Sequence, residues 1–211
     1  MVHRGRDLPG TIPLFPLPGV ILLPRATLPL HIFEPRYLQM LEDTLKRPDR
    51  LIGMIQPHGD GLARVGCAGR VVMFSEMDDG SMDIVLSAIS RFALSEVEEG
   101  FAPYLRGRVD WTEFAADREQ RRPTDPEMNR DAMMGRLGRY MEQRNLSTDW
   151  DAARAADDET LINSLSMLLP LTPEDKQALL EAVSLPQRRE LLDGLLDFAL
   201  HGGASDEETV H

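Results

Sequence analysis

The stretch Ile12–Tyr37, IPLFPLPGVILLPRATLPLHIFEPRY, is among the most apolar in the chain, and it carries six prolines. Proline has no N–H and a fixed φ. It disrupts helix interiors and central strands, and it suits strand starts, edges, bends and the first helical turn. The stretch therefore reads as short extended pieces separated by bends. Val20–Leu23 has the character of a short buried strand, and Leu28–Phe33 of a second. Pro35 opens a helix on which Tyr37, Leu38, Leu41 and Leu45 recur at helical spacing, and Arg47-Pro48 ends it. A membrane span is excluded here, because the uninterrupted apolar run Val20–Leu23 is far short of the ~20 residues required.

The pattern downstream is β-rich and then helical. Leu51–Ile55 reads as a strand, and His58-Gly59-Asp60-Gly61 as a turn cluster. Gly69–Met77 and Ser81–Ile89 flank Asp78-Asp79-Gly80, a hairpin signal. Met82, Ile84, Leu86 and Ala88 alternate with Asp83, Val85 and Ser87, the period of a strand with one buried face. Arg91–Val97 and Tyr104–Trp111 read as further strands. Residues 113–124 are charged and proline-containing, as in a linker. Beyond them Asp125-Pro126 reads as an N-cap and first-turn pair. Two apolar stripes follow: Met133, Met134, Leu137, Tyr140 and Met141, then Leu161, Ile162, Leu165, Leu168 and Leu169. Capping boxes start at Thr172 and Ser184. The expected organisation is α+β. A flexible leader (1–11) precedes a β-rich part (12–112), a linker (113–124), a helical bundle (125–203) and a disordered tail (204–211).

Composition narrows the chemistry. The net charge is −12 over 211 residues. Residues 1–112 hold 12 basic and 14 acidic side chains, and the remainder hold 11 and 21. Such a chain repels phosphate backbones, so no nucleic-acid partner is expected. Cys67 is the single cysteine. It rules out an internal disulfide and, with no secretory h-region in view, points to the cytoplasm. No G-x-x-x-x-G-K-[ST] occurs, and the only lysines are Lys46 and Lys176, so the chain has no P-loop. G-x-G-x-x-G and G-x-S-x-G are absent as well. His31 and Glu34 form H-x-x-E across a strand-to-helix junction, which is not a metal-binding helix face. Nothing beside Cys67 would activate its thiol. The reading is of a non-enzyme with no catalytic residues, no metal and no cofactor.

The residues that remain carry a family resemblance. Pro13-Leu14-Phe15-Pro16-Leu17, Val20–Pro24, Pro29-Leu30 and the Glu34, Arg36, Tyr37 signature of FEPRY resemble the opening of the Lon protease N-terminal, substrate-binding domain. VGCAGRVVMFSEMDDGSMDIVLSAISRFAL continues it with a Val-Gly step, a turn at Asp-Gly and the Arg91-Phe92 step. PYLRGRVDW resembles its last strand, and LLEAVSLPQRRELLDGLL its helical part. The resemblance spans about Ile12 to Leu200. It implies a PUA-like β-pseudobarrel with an inserted helix, followed by a C-terminal helical bundle. It also implies an ATP-independent, stand-alone binding module without the ATPase and protease domains of Lon.

Such a module would bind unfolded polypeptide, exposed apolar segments or a partner protein, in connection with a protease system. No membrane partner is expected, and a homo-oligomer is compatible with the reading. RNA binding, known among PUA-like folds, and a hydrolase using Cys67, His31 or Glu34 stand as alternatives. Glu34, Arg36 and Tyr37 are expected to be structural. Ile32, Phe33, Met40, Met54 and Met73 are the expected apolar binding surface.

Overall fold

The computed structural model describes residues 8–202 apart from Glu99 and Phe101. Residues 1–7 of the expected leader and the whole expected tail lie outside them. Two units divide the chain. The first holds the residues up to Gln120 together with Leu171–Leu180, and the second holds Arg121–Pro170 and the chain from Glu181 onward.

A long hairpin organises the first unit. Its turn is Asp78-Asp79-Gly80, with Gly80 at φ 80°, a conformation that glycine adopts without steric penalty. Met77 N–H donates to Ser81 O, and the Asp79 carboxylate accepts from both the N–H and the hydroxyl of Ser81. The arms are β6 (Val65–Glu76) and β7 (Met82–Glu98). Two strands were expected across 81–97; one strand of 17 residues is found. It is bulged between Leu94 and Glu96 against β8 and at Ile89, opposite Ala68/Gly69, against β6, and β6 carries one bulge of its own between Val71 and Met73. Bulges bend a strand, and the bent β7 serves two neighbours in turn. Its first half pairs with β2 (Thr27–Ile32) and its last part with β8 (Arg106–Asp110).

The ring then closes. β1 (Thr11–Pro16) pairs in parallel with β3 (Leu51–Ile55) and antiparallel with β8, and β3 pairs with β6. The order β7-β6-β3-β1-β8 returns to β7, a five-stranded barrel with β2 attached outside. A two-residue hairpin, β4 (Pro57–His58) and β5 (Gly61–Leu62), follows β3. Ile12, Leu14, Leu51, Ile55, Ala68, Phe92 and Val109 fill the interior. Gly66 explains the Val-Gly step. A Cβ there would lie 2.4 Å from Phe92 Cζ and 2.6 Å from Met54 O.

Val20–Leu23 is not a strand. Ile21, Leu22 and Leu23 are buried, but turns on either side, the second with Arg25 at φ 65°, leave the run too short to align with a neighbour. Helix α1 (Pro35–Lys46) begins at Pro35 as expected and turns Tyr37, Met40, Leu41 and Thr44 inward.

The expected linker also differs. Its first residues form a 3-10 turn, Thr112–Arg118, in which Phe114 and Asp117 are buried. Asp117 is recruited by Arg91. Its carboxylate accepts from Arg91 N–H, Nε and Nη2, each at 2.9 Å, and both side chains are only 6% exposed. The guanidinium also lies 4.5 Å from the Phe114 ring centroid. Helix α5 (Pro173–Glu181), expected in the bundle, places Leu171–Leu180 in the first unit. Gln56 Nε2 donates to Pro173 O and Gln177 Oε1, Gln177 Nε2 to Val65 O, and Arg91 Nη1 to Leu180 O.

The second unit is helical: α2 (Arg130–Gln143), α3 (Trp150–Ala155), α4 (Asp158–Leu168) and α6 (Leu185–Gly202). Helix α2 starts at Arg130, capped by Asn129, rather than at Asp125-Pro126. Asp125 is buried and accepts instead from Arg189 Nε at 2.6 Å, because a buried carboxylate needs a charged partner more than a helix end needs a cap. Asp149 and Asp157 cap α3 and α4. Arg136 joins α2 to Asp193 and Asp197 of α6, and Leu192 and Leu196 are fully buried. Leu168, expected on the buried stripe, faces solvent.

Candidate functional site

The Glu34, Arg36, Tyr37 signature sits where β2 hands over to α1. Glu34 occupies the N-cap position, but its side chain does not cap. Its Oε2 accepts instead from Arg36 Nε at 2.9 Å and Nη2 at 2.6 Å. That bond holds the Arg36 pKa above its ordinary value. The guanidinium lies 4.7 Å from the Tyr37 ring centroid, and the Tyr37 ring packs 4.4 Å from that of Phe15. Burial raises the Tyr37 phenol. Arg36 and Tyr37 also line an open cleft of about 670 Å³ with Pro16, Pro57, Leu62 and Tyr104. Tyr104 donates to Asp43 Oδ2 at 3.0 Å, and its phenol is likewise raised, first by burial.

The second feature is the sheet beyond the barrel, where β2, β7 and the end of β6 form a three-stranded extension. Its register aligns His31, Asp83 and Ser75, and next to them Pro29, Val85 and Met73. Alternation therefore puts His31, Phe33, Asp83, Val85, Met73 and Met77 on one outer face. Phe33 is 66% exposed and Met73 63%, and Val72, Phe74 and Met77 are also exposed. His31 Nδ1 and Asp83 Oδ1 are 2.8 Å apart between them, and the His31 and Phe33 ring centroids are 6.0 Å apart.

Three residues of the expected surface are elsewhere. Ile32, Met40 and Met54 are buried. Ile32, the last residue of β2, turns inward while Phe33 just beyond it is exposed, Met40 lies on the inward stripe of α1, and every residue of β3 is buried. Of the five, only Phe33 and Met73 are exposed. Val72, Phe74 and Met77 were missed. Their signal was the run RVVMFSEM, apolar without alternation beside a turn, in a strand of 12 residues whose neighbour β3 has five.

Cys67 is fully buried, whereas His31 lies at the surface in contact with Asp83. Among the described residues, no group of three or more His, Cys, Asp or Glu could hold a metal ion. No helix among them is long and apolar enough to cross a membrane.

The sequence model of the ATP-dependent protease La (LON) substrate-binding domain matches residues 11–197. The chain belongs to that family. Lon protease 2 of Myxococcus xanthus is 24% identical over 199 residues, covering 90% of this chain and 24% of the relative. Lon protease of Xanthomonas oryzae pv. oryzae is 26% identical over 196 residues, covering 88% of this chain and 23% of the relative. The chain thus spans about a quarter of the length of these relatives. Among solved structures, the Lon N-terminal domain protein from Xanthomonas campestris superposes with a TM-score of 0.62 at 23% identity, covering 87% of this chain and 97% of that one. The N-terminal domain of Mycobacterium avium complex Lon protease gives a TM-score of 0.63 at 18% identity, covering 90% and 97%. The fold is therefore that of a Lon substrate-binding domain, α+β as expected.

Proposed function

We propose that this Lon-type domain is a non-catalytic module that binds unfolded polypeptide through the outer face of the β2-β7-β6 extension. The observation that carries the reading is the exposed apolar group Phe33, Met73 and Met77 on that outer face, with Val72 and Phe74 also exposed along the same projecting strand. Exposed apolar patches on soluble domains mark interaction surfaces. Methionine is soft enough to fit many partners, which suits a surface that must accept varied sequences. The acidic balance of the chain disfavours RNA as the ligand. Glu34, Arg36 and Tyr37 serve the scaffold in this reading, because their contacts are to one another and to Phe15.

The test is fluorescence anisotropy of a labelled, permanently unfolded chain such as reduced and carboxymethylated α-lactalbumin. Phe33→Ser with Met73→Ser should weaken binding by about tenfold or more, since two anchors together are worth at least ~1.4 kcal/mol. Phe198→Ser, which alters an exposed phenylalanine in the helical unit, should leave it unchanged. Absence of binding, or equal binding by all variants, would refute the proposal.

A further inference from the structure

We infer that the free edge of β6 pairs antiparallel with the same edge of a second copy of this chain. The last β3 partner on β6 is Arg70, opposite Leu51. One residue on, Val71 N–H still donates to Arg50 O. From Val72 to Glu76, five residues spanning roughly 17 Å, the described residues provide no strand on the side away from β7. Met77 bonds to Ser81, so the alternation turns the backbone of Ser75 and Met73 toward β7 and that of Phe74 and Glu76 outward.

Open edges are normally blunted by proline, lysine or a bulge. The other open edge, β2, has Pro29 at its centre. The β6 edge has neither proline nor lysine, and its one bulge, at Val71/Met73, leaves Met73–Glu76 regular. An edge with outward N–H and C=O groups and apolar side chains fits an extended backbone.

Charge selects which backbone. The base of the edge carries Arg50 and Arg70, both exposed, and its tip carries Glu76 and Asp78, both exposed. A parallel copy would set acid beside acid. An antiparallel copy sets each basic base against the other's acidic tip, whichever register centres the pair. The result is a continuous six-stranded sheet, β2-β7-β6 joined to its symmetry mate, with both outer faces on the same side. This association stands apart from the polypeptide-binding proposal: it is read with no client present.

Sedimentation equilibrium over a concentration series tests it. The wild-type chain, of 23.7 kDa, should shift toward twice that mass as concentration rises, and less so at high salt. Phe74→Pro removes an outward N–H without touching the β7 ladder, and should weaken association by about tenfold or more. A base variant (Arg50→Glu with Arg70→Glu) and a tip variant (Glu76→Lys with Asp78→Lys) should each fail to self-associate. Mixed together they should form a heterodimer, which also shows that both are folded. A chain monomeric up to about 0.5 mM, a Phe74→Pro variant that associates as well as wild type, or charge variants that do not recombine would overturn the inference.

Discussion

Removing the Asp117 carboxylate should unlatch the barrel unit. Asp117→Ala takes away three acceptor contacts of Arg91, to its N–H, Nε and Nη2, and leaves the Nη1 bond to Leu180 O. Both side chains are 6% exposed, so water cannot replace the lost partner without opening the structure. Breaking one side of such a buried pair costs about 3–5 kcal/mol. With a urea m-value of ~2 kcal/mol/M, the unfolding midpoint should drop by roughly 1.5–2.5 M. Trp111 packs edge-on to Phe92 at 5.8 Å, and Trp150 is the chain's other tryptophan. A Trp150→Phe background therefore makes fluorescence report on the barrel unit. Asp117→Asn should also destabilise, since an amide keeps the shape and loses the charge. Arg91→Met combined with Asp117→Leu should cost less than the sum of the single changes, because no uncompensated ion remains. A shift below about 0.5 M for Asp117→Ala, or full additivity in the double variant, would refute the latch.

Gly66→Ala should cost about 2–3 kcal/mol in the same assay, because the added carbon meets the Met54 carbonyl as well as Phe92, and a backbone oxygen cannot step aside. Thr44→Val should stabilise by about 1 kcal/mol in urea melts. Thr44 Oγ1 is buried with no hydrogen-bond partner among the described residues, and valine keeps the shape without the hydroxyl. Asp157, held below the usual carboxylate range first by the Thr160 N–H, should contribute its cap energy above about pH 4 and lose it as pH falls through its lowered pKa. Melts of the helical unit followed by Trp150 should thus show Asp157→Ala weaker by about 1 kcal/mol at neutral pH, with the difference from wild type shrinking as the pH is lowered into the acid range.

The elements that local pattern determines were legible. Pro35 marked a helix start, Asp78-Asp79-Gly80 a turn, and the alternation from Met82 to Ala88 a half-buried strand. Pattern failed where a distant residue decides the outcome. Ser90 and Arg91 are polar and buried, and they interrupt the alternation of β7. What satisfies the buried Arg91 is Asp117, 26 positions away, and the Ser90 hydroxyl donates to Phe114 O, 24 positions away; neither pairing leaves a local trace. The same pairings turned an apparent linker into part of the barrel unit. At the candidate surface, Ile32 ends β2 turned inward while Phe33 just beyond it is exposed, so the two do not share one face. Met40, three residues after Tyr37 and next to Leu41, was on a stripe already assigned to the interior. Phe33 and Met73 are legible as large apolar residues. Their exposure depends on β6 outrunning β3, and strand pairing sets that.

The return of Leu171–Leu180 to the first unit bears on how the chain is made. Arg91 waits 89 positions for the Leu180 carbonyl, and Gln56 waits 117 for that of Pro173. A ribosome working from the N-terminus delivers the helices α2, α3 and α4 before it delivers the segment that rejoins the first unit. The barrel unit therefore lacks these contacts through the synthesis of some fifty intervening residues. Slow codons or a holding chaperone would act most strongly in that interval.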